Sequence, residues 1–155
     1  MQLCFLRHGE ADWPSWKKSD DERPLTDFGK KEMRDVAKFL ARLKVAPDLI
    51  VTSPLPRASQ TAKIAAEYLK AKVREDELLA PGFGVSELRT VLKRHHSKVL
   101  ILVGHEPDFT NIISGLTGAS LKLSKAGVAL LDIDPEAEEG KLLWLFPPKF
   151  SRKSK

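Results

Sequence analysis

The chain contains a single cysteine among its 155 residues, so no intramolecular disulfide can brace it. Cys4 falls inside an apolar run, where a small side chain suits a buried strand, and an inert thiol is expected there rather than a redox centre. Apolar runs are short throughout. None approaches the roughly 20 residues that cross a bilayer, and the first, 3–6, is cut off by Arg7 before it reaches the length of a signal-peptide core. A cytoplasmic location with no membrane contact is the resulting expectation. Internal repeats and linker-like stretches are also lacking, which points to one domain over 1–148 followed by a basic tail over 149–155.

Charge is plentiful, with 30% charged residues beside 42% hydrophobic ones, the balance of a soluble globular protein. The formal net charge is +5, which suits a partner bearing phosphate. Lys149, Arg152, Lys153 and Lys155 carry four of the positive charges, and such an end reads as a solvated, mobile segment. Aromatic residues are not interleaved with this basic stretch, so no nucleic-acid surface is expected.

Strand and helix signals alternate. Strands are expected over 2–6, 49–51, 72–74 and 99–103, with a closing pair over 128–133 and 142–146. Thr26 reads as a helix N-cap, and Met33, Val36, Ala37, Leu40 and Leu43 then recur at helical spacing along one face. Further helices are expected over 57–69, 85–94 and 109–116. The pattern implies an α/β fold in which a mainly parallel sheet lies between two layers of helices.

Three of the expected strands end in chemically useful residues: Arg7-His8-Gly9 after the first, Ser53-Pro54 leading to Arg57 after the second, and Gly104-His105-Glu106-Pro107 after the fourth. Ligands of open α/β sheets bind beyond the carboxyl ends of strands, so these exits can converge. A phosphate monoester or phosphoramidate repels nucleophiles through its own oxygens. Arg7 and Arg57 each present a planar fork that grips two oxygens, and His105 can donate from its ring. His8 is the expected nucleophile, with one nitrogen unprotonated and the other tied to an acceptor such as a backbone carbonyl.

Leu6-Arg7-His8-Gly9-Glu10, Ser53-Pro54 with Arg57-Ala58 and Gln60-Thr61-Ala62, and Gly104-His105 together resemble the histidine phosphatase superfamily. Arg23-Pro24-Leu25-Thr26 followed by Gly29, with Gly104-His105-Glu106-Pro107, is most similar to its SixA-type phosphohistidine phosphatases. The resemblance spans residues 1–116. It implies a phosphoglycerate mutase-like α/β/α fold, a phosphohistidine intermediate on His8, a phosphate pocket of Arg7, Arg57 and His105, and no metal or other cofactor. Mutase-like relatives carry a glutamate after the second helix as general acid, but Glu75, Glu77 and Glu87 stand in no matching motif. Acid-phosphatase relatives place an acidic residue directly after the second histidine, where Glu106 stands. Glu106 is therefore either a proton donor or a cap of the following helix, with Pro107 at the first helical position.

Mutases and fructose-bisphosphatases of the family insert segments over the site, and this chain has little room for them. That favours phosphohistidine presented on a phosphotransfer protein as substrate, ahead of a small phosphate ester, with a catalytically inactive phosphoprotein-binding module third. Ser53 is either a hydroxyl donor to substrate or the start of a turn, and Thr61 is expected to pack or cap. His95 and His96 diverge on a helix end, cannot readily share a metal, and are expected at the surface. Trp13 and Trp16 either line a docking surface or anchor their loop.

Overall fold

A computed structural model describes residues 1–134, 136 and 138–152. Six strands, β1 (Gln2–Arg7), β2 (Leu49–Thr52), β3 (Lys72–Glu75), β4 (Val99–Gly104), β5 (Val128–Asp134) and β6 (Glu139–Phe146), form one sheet in the order β3-β2-β4-β1-β5-β6. The pairs β2·β3, β2·β4 and β1·β4 are parallel, whereas β5 runs antiparallel to β1 and to β6. The fold is thus α/β with a mainly parallel sheet, as the alternation predicts.

Four helices, α1 (Asp27–Arg42), α2 (Pro56–Leu69), α3 (Val85–Arg94) and α4 (Asp108–Thr117), cover both faces. Successive residues of a strand point to opposite faces, and the core divides accordingly. Leu3, Phe5, Leu100 and Leu102 pack with Leu88 and Val91 of α3 and Phe109 and Ile112 of α4. Cys4, Leu6, Ile101 and Val103 pack with Met33, Val36 and Leu40 of α1 and Ala58, Ala62 and Ala65 of α2. The three alanines let α2 sit close to the sheet. Both β1 and β4 are buried on their two faces, which is why they read as unbroken apolar runs.

Local chemistry sets the helix ends. The Thr26 side chain accepts the Gly29 N–H at 3.0 Å and starts α1; Pro56 occupies the first turn of α2; Gly118 closes α4 at φ 76°. Pro107 departs from expectation, since it stands at the N-cap of α4, after a cis Glu106–Pro107 bond, rather than at the first helical position. The expected mobile tail is also corrected at its start. Pro148–Ser151 forms a 3-10 turn, the Phe150 ring lies 5.9 Å from that of Phe146, Ser151 is buried, and Arg152 pairs with Glu32 of α1 at 3.3 Å. Apolar contact and one ion pair thereby draw the basic segment onto the domain, so the fold runs past 148. Lys153 and Lys155 lie outside the described residues.

Candidate active site

The parallel pairing brings the three strand exits together. Arg7 is in register with Gly104, the His8 N–H donates to the Gly104 carbonyl at 3.1 Å, and the Ser53 N–H donates to that of Val103 at 2.9 Å. His8 and His105 face one another with ring centroids 5.3 Å apart. Both are buried, at 9% and 4% exposure. Arg57 arrives from the first turn of α2 and is likewise buried.

Each side chain is held from behind. His8 Nδ1 lies 2.7 Å from the Gly9 carbonyl; a carbonyl only accepts, so Nδ1 carries the proton of the neutral ring and Nε2 keeps its lone pair. Arg7 donates to the Leu123 carbonyl at 3.0 Å, and Arg57 to that of Asp20 at 2.9 Å. The Gly9 N–H donates to Thr61 Oγ1 at 3.0 Å, and Thr61 donates on to the Arg57 carbonyl at 2.7 Å. Thr61 therefore ties the His8 loop to the turn that carries Arg57, a more specific task than packing. Ser53 Oγ is 2.7 Å from His105 Nε2. Among the described residues, four buried nitrogens have no hydrogen-bond partner: Nε of Arg7, of Arg23 and of Arg57, and Nδ1 of His105.

The electrostatics favour neutral rings beside charged guanidiniums. The pKa of His8 falls to about 4, chiefly through burial; the Gly9 carbonyl opposes the shift, and Arg57, Arg7 and Arg23 reinforce it. That of His105 falls to about 3, again chiefly through burial, then through His8, Arg57 and Arg7. Burial also lowers the arginines, partly offset by Glu106 and Asp12 at Arg7 and by Asp21 and Asp20 at Arg57. A guanidinium nevertheless stays charged in water-accessible pH ranges. The cluster concentrates positive charge and unpaired donors around the neutral His8 ring with its free Nε2, an arrangement suited to an anionic group.

Sequence reasoning gave no role to Arg23, whose guanidinium donates to the Ala11 carbonyl at 2.7 Å and faces Asp12 at 3.6 Å and Asp20 at 3.5 Å. It arrives through the loop before α1, and only its place in the Arg23-Pro24-Leu25-Thr26 motif hinted at it. Asp12, which also pairs with Lys125, was likewise missed. Glu106 accepts the Thr110 N–H at 3.1 Å through Oε1, so it does bond to the start of α4. Glu75 ends β3, Glu77 opens the following 3-10 turn, and Glu87 bonds its neighbour Ser86 at 2.6 Å. His95 is not a free surface residue: Nε2 lies 3.0 Å from Asp76, a buried carboxylate that Arg94 also grips. His96 is exposed. Trp13 and Trp16 donate to the carbonyls of Pro24 and Ser19, anchoring their own loop. A concavity of about 540 Å³ beside Met1, Arg89 and Lys93 lies at the other end of the strands and shares no residue with the cluster. Among the described residues, no three His, Cys, Asp or Glu side chains gather as metal ligands.

Fold and cluster together define an α/β protein of the phosphoglycerate mutase-like architecture. Residues 3–98 match the model of the histidine phosphatase superfamily (branch 1), and the chain belongs to that superfamily. An uncharacterised protein of Picosynechococcus is 38% identical over 136 residues, covering 83% of this chain and 82% of that one. The structure of the protein histidine phosphatase SixA complexed with tungstate superposes with a TM-score of 0.84 at 25% identity, over 98% of this chain and all of that one. A mycobacterial glucosyl-3-phosphoglycerate phosphatase complexed with VO3 shares the fold, with a TM-score of 0.73 at 20% identity over 92% of this chain and 97% of that one.

Proposed function

We propose that the protein is a phosphatase that works through a phosphohistidine on His8 and that its substrate is phosphohistidine on another protein. The observation that carries this reading is the 2.7 Å contact between His8 Nδ1 and the Gly9 carbonyl, which leaves Nε2 as an in-plane nucleophile among Arg7, Arg57 and His105. In the first step the Nε2 lone pair attacks phosphorus and the bond from phosphorus to the substrate nitrogen breaks. In the second, water attacks phosphorus and the bond to Nε2 breaks, giving inorganic phosphate. Arg7, Arg57 and His105 neutralise the oxygens in both displacements.

The leaving group decides how much else the site needs. A phosphohistidine ring protonated on its remote nitrogen leaves as neutral imidazole, whereas an alkoxide requires a proton delivered as the bond breaks. Glu106 spends one carboxylate oxygen on Thr110, so the best-placed candidate acid already has a structural task. The likeness to SixA supports the same substrate class, and so does the short path from β3 to β4, which holds only a 3-10 turn and α3. A small phosphate ester is the second reading, favoured by the position of Glu106 near enough to Arg7 to stabilise its charge; Glu106 would then donate the proton through its other oxygen.

Incubation with 32P-labelled phosphohistidine protein should give a transient, acid-labile, alkali-stable adduct on His8 that His8→Ala cannot form. The same preparation should turn over phosphohistidine protein faster than a panel of alkyl and sugar phosphates. Label on serine or aspartate would overturn the intermediate, and faster turnover of an ester would overturn the substrate.

A further inference from the structure

We propose that Ser53 fixes the tautomer of His105: the Ser53 hydroxyl donates to Nε2, so that Nδ1 holds the ring proton and offers it as a hydrogen bond to a phosphoryl oxygen. The role of that proton rests on the phosphatase reading above, whereas the tautomer is a property of the protein alone.

The argument is one of donors and acceptors. Ser53 Oγ is fully buried and has two neighbours, the Leu55 N–H at 3.2 Å and His105 Nε2 at 2.7 Å. The Leu55 amide can only donate, so it takes a lone pair of Oγ and leaves the hydroxyl hydrogen to be placed. If Nε2 carried the ring proton, Oγ would accept twice and its own hydrogen would have no acceptor among the described residues. A buried donor stranded in this way forfeits the hydrogen bond it made to water in the unfolded chain. With Nε2 bare, the hydroxyl hydrogen is satisfied and the chain from Leu55 through Ser53 to His105 runs in one direction.

That direction determines what His105 shows to the pocket. Its proton sits on Nδ1, the buried nitrogen without a partner among the described residues. In the opposite tautomer Nδ1 would present a lone pair, which repels a phosphoryl oxygen. Burial and the neighbouring His8 keep the ring neutral in the protein alone, with its pKa at about 3, so one proton is all that His105 has to present to an arriving phosphoryl group. Its single proton must be on the useful side. Ser53 is suited to ensure this because its own backbone is pinned to β4 through the Val103 carbonyl, two residues before His105. Ser53 is thus a positioning residue that acts through His105 rather than on the substrate.

The test reads the tautomer directly. Protein labelled with 15N-histidine, without substrate at pH 7, should show His105 protonated at Nδ1 in long-range 1H–15N spectra, the resonance being assigned by its loss in His105→Gln. Ser53→Ala should shift His105 to a mixture or to the Nε2-protonated form and weaken vanadate binding by about tenfold, near 1.4 kcal/mol. Ser53→Thr, which restores the hydroxyl, should restore both. An Nε2 proton in the unaltered protein, or an unchanged tautomer in Ser53→Ala, would overturn the relay, and unaltered vanadate affinity beside a changed tautomer would overturn the oxygen-binding role. Absence of a phosphoenzyme with Nδ1–H still observed would remove the phosphatase reading and leave the relay standing.

Discussion

On the proposed mechanism the two histidines of the pocket are used in opposite ways, and the difference lies in what stands behind each ring. A carbonyl behind His8 Nδ1 accepts its proton and turns a lone pair inward; a hydroxyl behind His105 Nε2 is placed to do the reverse. Arg7, His8, Arg57 and His105 were legible because each closes or follows an apolar strand, and strand exits in such a sheet share one edge. Arg23, Asp12 and the task of Thr61 were not, because each depends on how a polar loop folds back, which no periodicity encodes. The arginines carry a prediction of their own. Arg57 is oriented by the Asp20 carbonyl, and its planar fork can hold two phosphoryl oxygens where an ammonium offers a point charge. Arg57→Lys should therefore lower kcat/KM by at least about tenfold, or roughly 1.4 kcal/mol of transition-state stabilisation. Steady-state kinetics on a folded variant would check it, and an unaltered rate would place Arg57 outside the pocket.

Elements matter here chiefly for what they press against the site. All six expected strands and four expected helices are present, with no end shifted by more than three residues, because buried apolar runs and capping residues mark them clearly. The least legible segment was the described part of the tail, 149–152, whose charge suggested solvation; Phe150 packing on Phe146 and Arg152 reaching Glu32 outweigh it. The first turn of α1 shows how an element can set a site without touching it. A Cβ built on Gly29 would lie 2.2 Å from the Glu10 carbonyl oxygen, a backbone atom that no side-chain rotation can move. The chain two residues beyond His8 runs directly over the helix there, and the Thr26 N–H bonds to that same carbonyl at 3.0 Å. Gly29→Ala must displace either α1 or the His8 loop. The expected cost is about 1–3 kcal/mol, as for overpacking, read as a lower midpoint in thermal denaturation, with kcat falling more than a pure stability loss would cause. A variant with unchanged midpoint and kcat would show that the loop is not tightly seated on the helix.

At the scale of the whole molecule, the site is a burden on the fold that pH can expose. His8 and His105 are neutral when folded, with pKa values of about 4 and about 3 against an ordinary value of 6.5. Between pH 6.5 and about 4, the unfolded chain binds protons on both rings and the folded protein does not. Stability must therefore rise with pH across this window and fall as the solution is acidified, by about 1.4 kcal/mol per pH unit for each ring while its folded form stays unprotonated. The carboxylates that the fold depresses, Asp12, Asp76 and the exposed Glu87, act lower on the scale. Their ordinary values are 3.8 for the two aspartates and 4.5 for Glu87, so most of their stabilising effect is present at pH 5 and is lost below it. A comparison of pH 7 with pH 5 thus isolates the histidines. Urea denaturation should give a free energy of unfolding lower at pH 5 by roughly 3 to 4 kcal/mol in total. His105→Gln, whose amide cannot titrate in this range, should lose about half of that difference, even if its stability at pH 7 is itself altered. Equal differences in the two proteins would mean that His105 is protonated in the folded state at pH 5, and with it the picture of two neutral rings among the arginines would fail.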